Sequence, residues 1–516
     1  MYKRFILEKA PLILTQIDRD KDSPTYGDCD RNHWHLKTRD FSSAILQQSG
    51  LFLALLYKHE FDGNIYFKNE NMRDWAKATV NYWCKIQLND GSFNEYYPNE
   101  HGFPPTAFSL YAACEIYKIL NIEDENIKQK IKNTAYYLGK TIEYKAFNQE
   151  IASITAMYNA YLILNDEHIH NMLEKKLIRI LSLQDEEGWF SEYEGADIGY
   201  LSVSFDMLAE YYMLSNDERI IQPLEKLLNF IMYFIHPDRT IGGEYGSRNT
   251  TYFLPYGLQV MANLGYQNAE DMLQILFYDE YSYNYFLNSV DDRYLSHYIM
   301  HSFMRALKIR DYKKGDKIFQ YETAKYFPNA GLFVYKKNNI YIVLGLKKGG
   351  IIKIFKDNKE IYLDCGYRVK AKKSGGILTT NWQDNSYNII QDGTKFVIEG
   401  YMNKVNQKVS TPIMHMGLRI ISLLFGNKII GFLKKKLIFA NTKSNIYFKR
   451  IIKIEGDKVS IQDHIKSPDK ITLEKASNMS LRHVASGKFF MNSDLLYNKK
   501  IYEKENEFRI REVIEL

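Results

Sequence analysis

Tyr96, Tyr97, Asn99 and His101 fall within six positions of DGSFNEYYPNEH, residues 90–101, a density of reactive side chains that a plain connector does not need. A second cluster, EYGSRNTTYF, holds Tyr245, Arg248 and Asn249, and a third holds His33, Trp34 and His35. Arg248 with Asn249 makes a fork suited to a carboxylate. A tyrosine can remove a weakly acidic proton once a nearby cation lowers its pKa from about 10. These parts suit abstraction of the proton beside a uronic-acid carboxylate, followed by β-elimination (a lyase) or by reprotonation from the other side (an epimerase). Glycoside hydrolysis is a second chemistry. It would draw a carboxylate pair from Glu95, Glu100, Glu192, Glu194, Asp197 and Glu244, set roughly 6.5–9.5 Å apart in an inverting enzyme. The third reading is binding alone, with aromatic rings stacked on sugars.

For proton abstraction the catalytic candidates are Tyr245, Arg248, His101 and Tyr97. Substrate contacts are expected from Asn99, Asn249, Trp34, His35, Glu192, Tyr193 and Glu244. The same residues also fit structural roles: glutamates as helix caps, tyrosines as packing between hairpins, and Arg248–Asn249 as a network at a helix end. His415, His464 and His483 lie farther along, and nothing in their local sequence selects one.

The elements that must position these clusters are helices. TAFSLYAACEIYKIL, residues 106–120, carries apolar side chains at helical spacing, as do 41–57, 72–88, 153–164 and 200–214. One loop type returns between the stripes: glycine, usually an aromatic, Glu-Tyr, then a polar run into a new helix. Its glutamates, Glu95, Glu192 and Glu244, are separated by 97 and 52 residues, and EYKAFNQE at 143–150 is a degenerate copy inside the longer gap. A period of roughly fifty residues is that of a helical hairpin in an α-helical array. Such a repeat brings the loops at about 26–40, 90–105, 143–150, 188–200, 242–255 and 288–297 to one face. Past residue 318 the pattern changes to short alternating runs split by Asn-Asn, Gly-Gly and Asp-Asn turns, which reads as strands at sandwich spacing. DYKKGDKIF at 311–319 reads as the linker.

Bulk properties set limits. At 516 residues the chain exceeds one ordinary domain, and a net charge of +6 allows an acidic partner without demonstrating one. Four scattered cysteines form neither a disulfide framework nor a zinc motif, which suits a reducing compartment. The N-terminal run MYKRFILEKAPLILTQIDRD, interrupted by Glu8 and Lys9, reads as a helix and not as a signal peptide. No nucleic-acid motif or phosphate-cradling glycine loop is present in the sequence, so nucleic acid is not expected as a partner. The apolar stretch 416–443, with Lys434, Lys435 and Lys436, reads either as an interfacial segment on anionic lipid or as core elements with a basic edge.

DGSFNEYYPNEHGFPPTAF, GWFSEYEGADIGYLS, GGEYGSRNTTYFLP and the strand segment NAGLFVYKKNNIYIVLGLKKGGIIKIF followed by LDCGYR give the chain a resemblance to the heparinase II/III family. It is most similar to the heparinase-like proteins of bacterial surface-polysaccharide biosynthesis. The resemblance implies an α+β multidomain fold, with an N-terminal incomplete (α/α) toroid over 1–310 followed by a C-terminal antiparallel β-sandwich over 318–516. It also implies uronic-acid chemistry, a tyrosine and histidines as acid and base, and Asn, Gln or Arg on the carboxylate. The expected partner is an acidic polysaccharide or a lipid-linked oligosaccharide, with no cofactor and no metal. The expected location is cytoplasmic, with membrane contact through 416–443. Degradative members often pair Asn-His on one loop with Tyr on the next. Here the nearest matches are Asn99 with His101, which are not adjacent, and Tyr245 with Arg248 and Asn249.

Overall fold

The computed structural model describes residues 2–278, 290–307, 322–370, 376–405, 410–426, 442–476 and 499–516. The expected linker at 311–319, His483 and the lysines at 434–436 lie outside the described residues.

Helices fill the first part: α1 (Tyr2–Leu14), α2 (Arg31–Trp34), α3 (Ser49–Lys58), α4 (Glu70–Ile86), α5 (Phe103–Ile119), α6 (Glu125–Lys140), α7 (Phe147–Leu164), α8 (Glu167–Ser182), α9 (Ile198–Ser215), α10 (Ile221–Ile231), α11 (Tyr256–Asn263) and α12 (Gln267–Leu273). A further helix spans Met300–Ala306. Burial sorts them into two sets. In α5, 13 of 17 residues are buried, whereas α8 buries 5 of 16 along one stripe, so α5 is enclosed and α8 covers it from outside. The enclosed helices α3, α5, α7, α9, α11 and Met300–Ala306 pack each on the next, and the last also packs on α3.

This inner set is tied by buried polar groups. Arg305 meets Glu210 at 3.1 Å, and Glu210 accepts hydrogen bonds from Tyr111 (2.8 Å) and Tyr256 (2.6 Å). These contacts offset part of the cost of burying the charges.

Direction matters for function. The outer helices α4, α6, α8 and α10 run toward the loops that precede α5, α7, α9 and α11. Each inner helix therefore begins at its loop. Asp197 caps α9 by accepting from the Tyr200 N–H. At their other ends, α7 and α9 stop at Asn165 and Asn216, both left-handed.

From Thr323 onward the described residues are mainly antiparallel β-structure. One five-stranded sheet runs β1 (Thr323–Phe327), β2 (Leu332–Lys337), β3 (Ile340–Gly345), β4 (Ile351–Lys356) and β5 (Lys359–Asp364) in sequence order. A seven-stranded sheet comprises β6 (Tyr367–Lys370), β7 (Ile377–Thr379), β8 (Asn388–Asp392), β9 (Lys395–Val405), β10 (Thr442–Glu455), β11 (Lys458–Ala476) and β12 (Lys499–Glu515). Alternation in β3 explains how the five-stranded sheet serves two cores: Ile342 and Leu344 join Phe396, Ile398 and Phe448 of the larger sheet, while Tyr341 and Val343 join the helical core. Tyr341 also donates to the Tyr233 carbonyl at 2.7 Å. All four cysteines are buried and free.

Between β9 and β10, Pro412–Phe425 forms a helix that lies on the surface, so the described part of 416–443 is not a core element. Among the described residues, no helix is long and apolar enough to cross a membrane.

Candidate active site

The loops before the inner helices are laced into one surface. Tyr193 N–H donates to the Lys145 carbonyl (2.7 Å), and Phe147 N–H to the Ser191 carbonyl (3.2 Å). Ser247 N–H donates to the Ala196 carbonyl (2.9 Å), and its hydroxyl to the Glu192 carbonyl (2.7 Å). Ala44 N–H likewise reaches the Asn94 carbonyl at 2.9 Å. Gly195 is required by close approach: a Cβ there would lie 2.8 Å from the Gln383 amide and 2.9 Å from the Ser247 Cβ. The loop before β8 thus adds to the helical face, and Asn385 donates to the Glu194 carbonyl at 2.9 Å.

Backbone strain gathers in these loops. Asn99, His101, Tyr193, Glu194 and Asn249 all have positive φ, with Tyr193 at 54°. A bulky residue in the left-handed region costs of order 1–3 kcal/mol and persists where its surroundings fix it.

Two of the expected residues meet closely. The Arg248 guanidinium carbon lies 4.2 Å from the centre of the Tyr193 ring. Asp197 fixes the arginine from behind, accepting from the Arg248 N–H (2.9 Å) and the Thr250 N–H (3.3 Å) as well as from the Thr250 hydroxyl. Burial pushes the Tyr193 phenol up to about 12, while Arg248 pulls it down and a hydrogen bond from Gln149 helps. Tyr200, also partly exposed, has its pKa raised by burial and by Tyr294, and lowered by Arg248. Tyr96 is 70% exposed, yet its hydroxyl sits against Glu95, whose charge raises its pKa; Tyr193 contributes in the same sense.

Asn148 and Gln149 complete the cluster. The Asn148 N–H donates to Glu192 at 2.7 Å, and the Asn148 side-chain amide lies beside the same carboxyl. Its Nδ2 makes no well-formed hydrogen bond to the described residues. Glu192 is fully buried, and desolvation holds its pKa well above the usual carboxylate range.

The other expected residues fall elsewhere. Tyr245 is only 1% exposed, and its hydroxyl sits 2.9 Å from His236 Nε2 and 3.4 Å from the Phe234 carbonyl. That corrects its assignment as the proton-moving group: it fills the interior beneath the loop. Asn249 accepts from the buried Lys348 ammonium, which also reaches the carbonyls of Glu244 (2.7 Å) and Gly246 (2.8 Å). Burial lowers the Lys348 pKa to about 8. The Glu244 carboxylate meets Lys353 at 3.3 Å. Asn249 and Glu244 therefore hold the Arg248 loop to the β-structure, and the expectation that they contact substrate gives way to an anchoring role.

His101 pairs with Asp90 at 2.6 Å, and the first loop repeats the motif with His33 on Asp28 at 2.6 Å. Asn99 shapes the same turn as His101. Tyr97 is partly buried, with its pKa raised by burial and then by Glu100. The Trp34 indole donates to the Gln16 carbonyl at 2.7 Å, and its ring is 5.2 Å from that of His35. The carboxylates proposed for hydrolysis are largely committed: Glu100 accepts from the Glu95 and Tyr96 N–H groups, Asp197 caps α9, and Glu244 pairs with Lys353.

Comparison with known proteins decides the fold's kinship. Residues 65–259 match the ulvan lyase N-terminal domain. The chain is similar to heparinase III at a TM-score of 0.51 and 10% identity, covering 95% of this chain and 74% of that one. It is similar to the Streptomyces coelicolor A3 chondroitin AC lyase, solved with chondroitin sulphate, at 0.59 and 8% identity over 92% and 68%. The chain has the fold of the heparinase-like polysaccharide lyases. No curated protein sequence matches it significantly.

Within this lyase fold, sequence reasoning missed Asn148, Gln149 and Tyr200. Asn148 and Gln149 lie in the degenerate copy EYKAFNQE and form the first turn of α7, whereas the more regular copies precede α5 and α9. Inner helices that begin at one face also direct their positive ends there, a field that favours an anionic ligand.

Proposed function

We propose that this chain is a polysaccharide lyase that cleaves a uronic-acid-containing glycan by proton abstraction beside the carboxylate. The observation that carries the proposal is the Arg248–Tyr193 stack, with Gln149 hydrogen-bonded to the tyrosine. In this reading residues 1–310 form an incomplete (α/α) toroid whose mouth is the groove, and 318–516 form a β-sandwich. The uronate carboxylate lies at the partly exposed Gln149, whose amide stabilises the charge that develops on it. Tyr193, as the phenolate favoured by Arg248, takes the proton from C5. The C4–O bond then breaks, a C4–C5 double bond forms, and the protonated Tyr193 returns its proton to the departing oxygen. His101, Trp34 and His35 line the rim as contacts for neighbouring sugars. The acidic-polysaccharide partner follows from the names of the similar proteins and from Arg248. Incubation with uronic-acid polysaccharides tests the proposal. A lyase creates a conjugated uronate with new near-ultraviolet absorbance, whereas a hydrolase creates reducing ends without it.

A further inference from the structure

The surface helix Pro412–Phe425 carries a concentration of exposed apolar side chains. Ile413 is 81% exposed, Leu423 70%, Leu424 69% and Ile420 58%, and Met414, Met416, Ile421 and Phe425 are exposed as well. At helical spacing these eight occupy about half of the circumference. The opposite strip faces the protein. There Arg419 meets Asp40 with two hydrogen bonds, 2.5 and 2.8 Å, and the buried Ser422 donates to the Pro98 carbonyl at 3.0 Å. The helix ends at Gly426, whose φ is 52° and where a Cβ would come within 3.3 Å of the His101 ring. A helix standing off the molecule with this much aliphatic surface is costly in water. It is nevertheless clamped, by its polar side, to the loops that carry Asp40, Pro98 and His101.

Charge identifies what covers it. From Thr411 to Lys443 the sequence has no acidic residue and six basic ones: Arg419, Lys428, Lys434, Lys435, Lys436 and Lys443. An aliphatic face continuous in sequence with a run of cations matches an anionic bilayer, where apolar side chains enter the acyl boundary and lysines meet headgroups. A protein partner would call for polar rim groups and interfacial aromatics. The outer face has no charged side chain and only Phe425 as an aromatic.

We infer that the helix Pro412–Phe425 docks the protein onto an anionic phospholipid surface through Ile413, Ile420, Leu423 and Leu424. Because the helix is held by the mouth loops, docking sets the groove at the bilayer. Together with the proposed lyase activity, this makes a membrane-anchored acidic glycan the substrate class.

The test is sedimentation of the full chain with vesicles of phosphatidylcholine alone or mixed with phosphatidylglycerol, for the native protein and for the double variant Ile420→Glu/Leu424→Glu. The native chain is expected to sediment with the mixed vesicles and not with phosphatidylcholine alone. The double variant is expected to lose at least about tenfold in partitioning while melting at the native temperature and keeping its turnover on a soluble glycan. Equal binding to both vesicles, no binding to either, or unchanged binding by the variant overturns the inference. So does concentration-dependent dimerisation that the variant abolishes, which would give the face to a second copy. The contrast between the two vesicles needs no variant. Turnover on soluble glycan reports on the lyase proposal separately.

Discussion

Arg248 lies 4.2 Å over the ring of Tyr193, joining the loop before α11 to the loop before α9. A guanidinium against a phenol favours the phenolate by direct charge and by the ring's negative face. The backbone N–H of Arg248 is held by Asp197, the residue that caps α9, so the contact is fixed to the scaffold. Mechanism, pH response and loop anchoring all follow from this pair.

Arg248→Ala is expected to lower kcat/KM about 100- to 1000-fold, the usual loss on removing a stabiliser of developing charge. Arg248→Lys keeps the charge without the planar stack and should fall between the two. Steady-state rates on a uronic-acid polysaccharide provide the check. Native turnover in the alanine variant would remove the arginine from the chemistry.

Tyr193→Phe keeps the ring, the strained backbone and the arginine stack but deletes the hydroxyl proposed to carry the proton. A loss of about 100- to 10,000-fold in kcat, with KM nearly unchanged, is the expected signature. Tyr245→Phe should leave turnover far less affected, because the Tyr245 hydroxyl faces His236.

The pH dependence has a definite sign. With the Tyr193 phenol pushed up to about 12 by burial, only a small fraction is phenolate at neutral pH, and kcat/KM should climb with pH on the alkaline side. Arg248 lowers that pKa, so Arg248→Ala should displace the climb to still higher pH. A bell-shaped profile centred in the acid range, of the kind two carboxyls give, would contradict the assignment.

The repeat was legible in the sequence, and with it the shared face of the loops, because glycine and Glu-Tyr recur ahead of α5, α9 and α11. What the repeat concealed is how differently its copies are used. Tyr96 is exposed, Tyr193 is half-buried under a guanidinium, and Tyr245 is sealed in the interior. Tyr245 is sealed by the β-structure packed behind its loop, where Gly345 approaches its backbone. Lys348 and Tyr341 come from far along the chain, and no local pattern announces that they will sit beneath Glu244 and against Tyr233. Asn148 and Gln149 escaped notice because their loop had lost the glycine that marks the others.

Lys348→Met tests that support. The ammonium donates to Glu244 O, Gly246 O and Asn249 Oδ1, and removing it leaves three acceptors in the interior. A loss of about 1–3 kcal/mol is expected in denaturant unfolding, with a drop in kcat as the Arg248 loop loosens. The titration sign is opposite to that of an ordinary ion pair. With the folded pKa lowered to about 8, the unfolded chain binds the extra proton up to about pH 10.4, so this group's contribution to stability rises with pH across that window. The methionine variant should lack that rise.

Glu192→Gln separates buried support from acid catalysis. Its folded pKa lies above the unfolded value of about 4.3, so the native carboxyl loses stability as pH rises above that value. Glutamine keeps the acceptor for the Asn148 N–H and removes the titration. The variant is expected to be about 1 kcal/mol more stable than native at neutral pH, a rise of about 1 °C in melting temperature at this chain length, with the difference shrinking toward pH 4.

The most direct measurement is near-ultraviolet absorbance during incubation of native protein and Tyr193→Phe with a panel of uronic-acid polysaccharides, alongside a reducing-end assay. The native chain should generate unsaturated uronate in step with new reducing ends on at least one glycan, and Tyr193→Phe should generate neither. Reducing ends without absorbance, or an undiminished signal from the phenylalanine variant, would contradict proton abstraction by the Arg248–Tyr193 pair.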